Sequence, residues 1–170
     1  MNNSFSLKPI KLSNQSTLLA LMQRIYPPAY EDFWENKDCS WYINKQYNPK
    51  QLKEELAVPN TDYYFINYKN ENIGILRLIH DLNTKTTKLH RLYLDQNYQG
   101  LGLGTKAIQL SGDLAKQKGS KTIWLEAMDT KTQALNFYKK AGFKIIETYQ
   151  LEHQLIHKHL RGMHKMTKQL

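Results

Sequence analysis

The chain has 170 residues, 41% hydrophobic and 23% charged, ordinary globular usage in a length that predicts one domain over 1–170 with its own core. No run approaches the roughly 18 apolar residues of a membrane span, residues 1–20 lack a basic segment followed by an apolar one, and the lone Cys39 excludes an intramolecular disulfide or a cysteine-rich zinc site, so a soluble, cytoplasmic protein is expected. The net charge of +9 is lopsided, with ten Lys or Arg against nine Asp or Glu in residues 1–85 and fourteen against six in residues 86–170, so the second half favours a polyanion such as nucleic acid, a membrane surface or a phosphorylated cofactor.

All five prolines fall at or before Pro59, and no linker or repeat interrupts the chain. Leu7, Ile10 and Leu12 predict a first strand. Ser13 or Asn14 then caps a helix through Leu18, Leu21, Met22 and Ile25 that stops at Pro27-Pro28. Asn48-Pro49 reads as an N-cap with proline at the first helical position, opening a short helix that ends before Pro59. From Asp62 the period changes: Tyr63 to Tyr68 and Ile73 to Ile79 predict a hairpin across Lys69-Asn70-Glu71-Asn72. A third apolar run, Leu89 to Leu94, leads into a glycine-rich segment and a helical pattern at Leu103, Ala107, Leu110 and Leu114, ended by Gly119. Next come a strand from Thr122 to Met128, a helix from about Thr132 to Ala141 closed by Gly142, and strands near 143–149 and 163–169.

The informative stretch is 92–105, Leu-Tyr-Leu-Asp-Gln-Asn-Tyr-Gln-Gly-Leu-Gly-Leu-Gly-Thr. Three alternate glycines between a strand and a helix let several backbone N–H groups point at one anion, beside the positive end of the helix dipole. The nucleotide triphosphatase loop needs Gly-Lys-Ser/Thr, but Gly104 is followed by Thr105-Lys106. The dinucleotide fingerprint needs a glycine where Thr105 stands. A third pattern, Gln-x-x-Gly-x-Gly, is met by Gln99, Gly102 and Gly104.

With that hexapeptide, and with Ala134-Leu135-Asn136-Phe137-Tyr138-Lys139-Lys140-Ala141-Gly142-Phe143 about 30 residues later, the chain resembles the GNAT (Gcn5-related) N-acetyltransferases over almost its whole length. Arg91 to Leu94 and Ile123-Trp124-Leu125-Glu126 extend the match. The resemblance implies an α+β (mixed α/β) GNAT fold. Its central mixed, mostly antiparallel sheet would have six to seven strands, flanked by about four helices and splayed between the fourth and fifth strands. It also implies acetyl-CoA as cofactor and a homodimer. Coenzyme A would be held by the strand end Leu92, Tyr93 and Leu94, by the loop Gln99, Gly100, Leu101, Gly102, Leu103, Gly104 and Thr105, and by Lys131, Ala134, Tyr138 and Lys140. Lys131 departs from the asparagine common in the family, although a lysine could reach a cofactor phosphate. Asn48 to Leu56 and the aromatic strand Tyr63 to Ile66 are similar to the PaiA-type polyamine acetyltransferases.

Acetyl transfer to an amine needs an anchored donor, a free amine, a polarised carbonyl and a protonated leaving group. An alkyl ammonium of pKa near 10.4 is free amine in only about one molecule in two thousand at pH 7, so some group must take its proton. His90, Glu126, and Glu31 or Glu35 through a water are the alternatives. His90 alternates with Arg91, so the two cannot share a face of a regular strand, and a bulge would decide which one faces the site. Tyr138 matches the family tyrosine that returns a proton to the coenzyme sulfur; a packing tyrosine is the competing reading.

Residues 26–47 hold seven aromatics among Glu31, Asp32, Glu35 and Asp38. Rings and carboxylates suit a cation, which points to Tyr30, Glu31, Trp34 and Glu35 as an acceptor site for a primary amine or polyamine. A core-covering amphipathic segment explains the same residues. The histidines at 153, 157, 159 and 164 have no carboxylate or cysteine that completes a metal set, and no metal is expected. Two other functions compete: a protein or peptide N-acetyltransferase, and a nucleic-acid-binding protein. The basic second half favours the latter and the glycine loop argues against it.

Overall fold

In the computed structural model, which describes residues 5–170, the strands β1 (Phe5–Pro9), β2 (Thr61–Tyr68), β3 (Glu71–Asp81), β4 (Thr86–Leu94), β5 (Thr122–Met128), β6 (Lys144–Gln150) and β7 (Gly162–Gln169) form one sheet in the order β1-β2-β3-β4-β5-β7-β6. Every neighbouring pair is antiparallel except β4 with β5. The helices are α1 (Gln15–Tyr30), α2 (Ser40–Gln46), α3 (Pro49–Ala57), α4 (Leu103–Gln117) and α5 (Thr132–Lys140). The β2–β3 turn is set by Lys69 and Asn70, at φ 49° and 68°. Two consecutive left-handed residues give the tight hairpin twist that matches twisted strands. Asn48 caps α3 by accepting from the Gln51 N–H at 2.8 Å, with Pro49 at the first helical position, where its missing donor costs nothing.

Two expectations need correction. Pro27-Pro28 does not stop the first helix, which runs through both residues to Tyr30. Interior prolines lose donors and crowd the preceding turn, at a cost of about 3 kcal/mol. Here that cost is offset by burying Ile25 and Tyr26 and by stacking Tyr30 on Tyr26 at 4.8 Å. The first strand ends at Pro9, so Ile10 is buried outside it and Leu12 lies exposed in a short turn. The described residues also form α2, a fifth helix, within the aromatic segment whose form the sequence left open.

One face of the sheet carries α1, α2 and α3 over a core of Leu18, Met22, Ile43, Leu52, Phe65 and Ile75. The other carries α4 and α5 over Leu76, Leu78, Ala107, Ile123, Leu125 and Leu135. The two halves of the sheet meet only briefly. β4 and β5 pair at Thr86–Thr122, Thr87–Ile123 and Lys88–Trp124, and no pairing continues beyond. The closed end is held by a buried polar chain: the carboxylate of Asp62 lies 2.9 Å from His80 Nε2, His80 Nδ1 lies 2.7 Å from the Thr87 hydroxyl, and that hydroxyl lies 2.8 Å from the hydroxyl of Ser120. Buried polar groups with every partner in place hold a register more sharply than apolar contact does. The open end is the wedge between Leu89–Leu94 and Leu125–Met128, whose facing backbone edges do not pair with each other.

Candidate active site

The glycine segment turns from β4 into α4 along one rim of this wedge. Gly100 and Gly102 adopt φ of 79° and 72°, a backbone that side-chain-bearing residues adopt at a cost. A Cβ at either would meet nothing within 4 Å, so these glycines serve the backbone path and an open concavity, not tight packing. Gly104 differs, since a Cβ there would lie 3.3 Å from the Phe137 ring. Among the described residues, none of the six backbone N–H groups from Gly100 to Thr105 has a hydrogen-bond acceptor; the first that does is Lys106, which donates to the Gly102 carbonyl. Six free donors at the positive end of a 15-residue helix form an anion site of the kind a diphosphate fills.

A cavity of ≈ 710 Å³ opens over these amides. Leu94, Gln99, Gly100, Gly102, Leu103, Gly104, Thr105, Lys131 and Ala134 of the expected cofactor set line it. Leu92 packs into the core beneath, Leu101 points outward at 57% exposure, and Lys140 is exposed and lines neither this cavity nor the next. The basic excess of the second half does not gather here: the charged lining residues are Asp95 and Lys131. Asp95 is buried, ion-paired with Arg24 of α1, and accepts from the Asn97 N–H at 2.9 Å, which anchors the start of the loop. Lys131 is also engaged. Its ammonium donates to the Ala29 carbonyl at 2.6 Å and sits 5.0 Å from the Tyr30 ring centre. It therefore ties α5 to the end of α1 instead of standing free for a phosphate.

A second cavity, ≈ 460 Å³, lies on the α1–α2 side and shares Tyr30, Lys131 and Ala134 with the first. Eight aromatic rings line it, from Tyr26, Tyr30, Phe33, Trp34, Trp41, Tyr42, Tyr93 and Tyr138, together with aliphatic and charged side chains such as Met128, Ile156, Lys45 and Glu126. Tyr93 projects from β4 against Tyr26 and Tyr30, at 5.8 and 5.7 Å. The 151–161 segment between β6 and β7 closes the far end. It is tied to the 31–37 segment by an antiparallel bridge of Trp34 with Ile156 and by the Glu35 N–H donating to the Leu155 carbonyl at 3.0 Å. Glu31 and Glu35, expected to face the amine, are exposed and outside this lining. The helical turns there bury Phe33 and Trp34 and leave the carboxylates in water.

Tyr138 reaches this cavity from α5, its ring 5.8 Å from Phe143. Burial, with a smaller contribution from Tyr30, pushes its ionisation above the ordinary phenol range, so the hydroxyl keeps its proton. Glu126 lines the same cavity and accepts from Lys88 at 2.6 Å and from the Tyr149 hydroxyl at 2.7 Å. Partial burial opposes its charge, but these two hydrogen bonds and the Lys88 charge outweigh it and hold the carboxyl below its usual range.

His90 takes a different place. The β3–β4 register runs Arg77–Arg91 and then Leu78–Leu89, so His90 is the extra residue of a bulge. The alternation that would have put His90 and Arg91 on opposite faces is thereby broken. Arg77 donates to His90 Nδ1 at 3.0 Å, and both guanidinium groups approach Glu55. His90 lines neither cavity. Burial, then the charges of Arg91 and Arg77, lower its pKa to about 4, so the ring is neutral at pH 7 and a weak base. The residues that sequence reasoning passed over are those wired under the cleft. Arg91 donates to Glu55 at 2.7 and 2.8 Å, to Gln46 at 2.9 Å and to the Tyr63 hydroxyl at 3.2 Å. An arginine inside an apolar strand was the available signal. Among the described residues no group of three or more His, Cys, Asp or Glu is placed to hold a metal ion, and no helix is long and apolar enough to cross a membrane.

Comparison with known proteins agrees with this geometry. A relative described as an uncharacterized N-acetyltransferase in the pepI 3′ region of Lactobacillus delbrueckii subsp. lactis is 25% identical over 112 residues, covering 62% of this chain and 65% of its own length. The PaiA N-acetyltransferase of Thermoplasma acidophilum, solved in complex with coenzyme A, superposes with a TM-score of 0.78 at 18% identity, covering 98% of this chain and 99% of its own. RimL, a ribosomal L7/L12 α-N-protein acetyltransferase solved with coenzyme A, superposes with a TM-score of 0.80 at 14% identity, covering 99% of this chain and 96% of its own. Residues 20–143, the glycine loop and most of α5's surroundings included, match the profile of the Acetyltransferase (GNAT) family. The seven-stranded sheet parted between β4 and β5, with free amides on one side of the opening and a ring-walled cavity on the other, is thus the framework of an acetyl-CoA-dependent enzyme family, and the chain belongs to the GNAT acetyltransferases.

Proposed function

We propose that the protein moves the acetyl group of acetyl-CoA to a primary amine of a small molecule by direct attack. The observation that carries this reading is the meeting of the two cavities at Tyr30, Lys131 and Ala134, one lined by free amides and the other by rings. The residues fit the coenzyme. The unpaired N–H groups of Gly100 to Thr105 would hold its diphosphate, and the unpaired edge of Leu92 to Leu94 would carry its extended arm as an added strand does. Bound there, the thioester supplies an activated acetyl group, and a backbone N–H of the parted β4 edge is the donor suited to its carbonyl.

The remaining steps belong to side chains. Glu126, on the cavity wall, takes the ammonium proton, directly or through a water, sharing its carboxylate with Lys88 and Tyr149. His90 is less suited, because it lines neither cavity. Tyr138 keeps its phenolic proton at neutral pH and can return one to the departing sulfur. The bridge of Trp34 with Ile156 closes the acceptor end, which supports a small acceptor over a protein chain needing an open groove.

Thermal unfolding with acetyl-CoA and with duplex DNA tests the reading. Ligand at a hundred times its Kd adds about 2.7 kcal/mol, or roughly 5–10 °C for a protein of this size. Stabilisation by acetyl-CoA alone is expected. Stabilisation by DNA alone would overturn the enzyme reading.

A further inference from the structure

We propose that Lys131 acts in the transfer step itself: its fixed ammonium disfavours a protonated acceptor where the two cavities meet, and so keeps the bound amine free to attack. The inference rests on the acetyl-transfer reading and deepens it. Tyr30, Lys131 and Ala134 are the residues the two linings share, and Lys131 is the charged one. Its ammonium has a defined place, donating to the Ala29 carbonyl at 2.6 Å and lying 5.0 Å from the Tyr30 ring centre. Ala29 lines the coenzyme cavity and Tyr30 lines both. That carbonyl belongs to the last turn of α1, the negative end of its dipole, and a ring face also attracts a cation, so the charge is held there.

Local preference does not explain a lysine at this position. Residue 131 is the N-cap of α5, where Ser, Thr, Asp or Asn would satisfy a free amide. The lysine side chain makes no cap hydrogen bond, the first turn carries no acid, and a cation adds to the positive end of the helix dipole. Contacts with α1 hold it against that preference, a conflict of the kind that collects at functional sites. Among the described residues no carboxylate lies within ion-pair distance of it. On the coenzyme side, Asp95 is paired with Arg24, and Tyr98 donates to Glu71. On the acceptor side, burial raises the ionisation of Tyr26, Tyr30, Tyr42, Tyr93 and Tyr138 and keeps them neutral. Lys45 and Glu152, of opposite charge, are exposed, and His153 stacks on Trp41. Glu126, hydrogen-bonded by Lys88 and Tyr149, receives the proton that the acceptor gives up. A like charge nearby disfavours the protonated form of an amine, so Lys131 and Glu126 act in the same sense.

The test follows thiol release from saturating acetyl-CoA across the neutral and alkaline range, with spermidine and with phenethylamine, for the native protein, Lys131→Met and Lys131→Arg, alongside thermal shift with acetyl-CoA. At pH 7, Lys131→Met should lower kcat and KM for the amine together, each about tenfold, leaving kcat/KM nearly unchanged, because the protonated amine then binds without being ready to react. The limb of the kcat profile, which reports the bound amine, should move up by about one pH unit, the same tenfold read as a pKa, while the limb of kcat/KM stays in place. Lys131→Arg, which keeps the charge, should behave as the native protein does. A strap of merely structural value would instead give a raised KM and an unmoved kcat limb; that result, or a limb in Lys131→Arg displaced as far as in Lys131→Met, would overturn the proposal with the acetyl-transfer reading intact. No thiol release from either amine, with the acetyl-CoA shift present, would overturn the small-amine reading and the proposal with it.

Discussion

Glu55→Gln is expected to be among the most destabilising isosteric changes in the molecule. Glu55, Arg91 and Arg77 are 6%, 6% and 4% exposed, so the pair is screened little by solvent. The carboxylate accepts two hydrogen bonds from Arg91 at 2.7 and 2.8 Å and lies 3.8 Å from Arg77. Removing one partner of a buried pair costs about 3–5 kcal/mol, because the remaining charge is left uncompensated. Here two guanidinium groups would remain. Glutamine keeps one acceptor oxygen, which sets the expectation near the lower figure, about 3 kcal/mol. At roughly 2–4 °C per kcal/mol for this size, the melting temperature should fall by about 6–12 °C in calorimetry at pH 7.

The same change has a pH signature. Burial works against the charged form of Glu55, but the hydrogen bonds and charge of Arg91, with the charge of Arg77, outweigh it and hold the carboxyl below its ordinary 4.5. A depressed folded value means that stability is present above the unfolded value and is lost as pH falls through the folded one. The gap between native protein and variant should be widest near neutrality and should shrink below about pH 4.5. A loss under 2 °C at pH 7, or an equal gap at pH 7 and pH 3.5, would refute the assignment of this pair as the charged keystone under the cleft.

Further outcomes follow from the site. Tyr138→Phe should lower kcat about a hundredfold, within the usual range for a proton-transfer group, while acetyl-CoA affinity by calorimetry changes less than twofold; equal loss in both would leave the tyrosine a packing role. Gly102→Ala, at φ 72° with open space where the Cβ would stand, should cost about 1–2 kcal/mol of backbone strain and weaken acetyl-CoA binding about tenfold; unchanged affinity would remove the amide cradle. Because the His90 pKa is lowered to about 4, His90→Gln should leave the shape of the kcat/KM profile between pH 6 and 8 unaltered; loss of a limb in that range would restore His90 as the titrating base.

Local signals carried much of this protein. The 2-residue and 3.6-residue periods, the Asn48-Pro49 start, the Lys69-Asn70 turn and the Gly119 and Gly142 ends are short-range preferences of backbone and cap, so the elements were legible within a few residues. The backbone path of the glycine loop was legible for the same reason, since the positive φ at Gly100 and Gly102 is a freedom the residue type itself declares. Tertiary structure decided what local preference cannot. Helix α1 passes through two prolines because an aromatic cluster outweighs their penalty. A bulge at His90 turns the histidine to Arg77 and breaks an alternation that sequence spacing alone could not show to be broken. Lys131 is drawn to a carbonyl 102 residues earlier in the chain. The acids of the aromatic segment face water while Glu126, from a strand far along the chain, lines the cavity, because which side of a short turn meets the core depends on the element that packs against it.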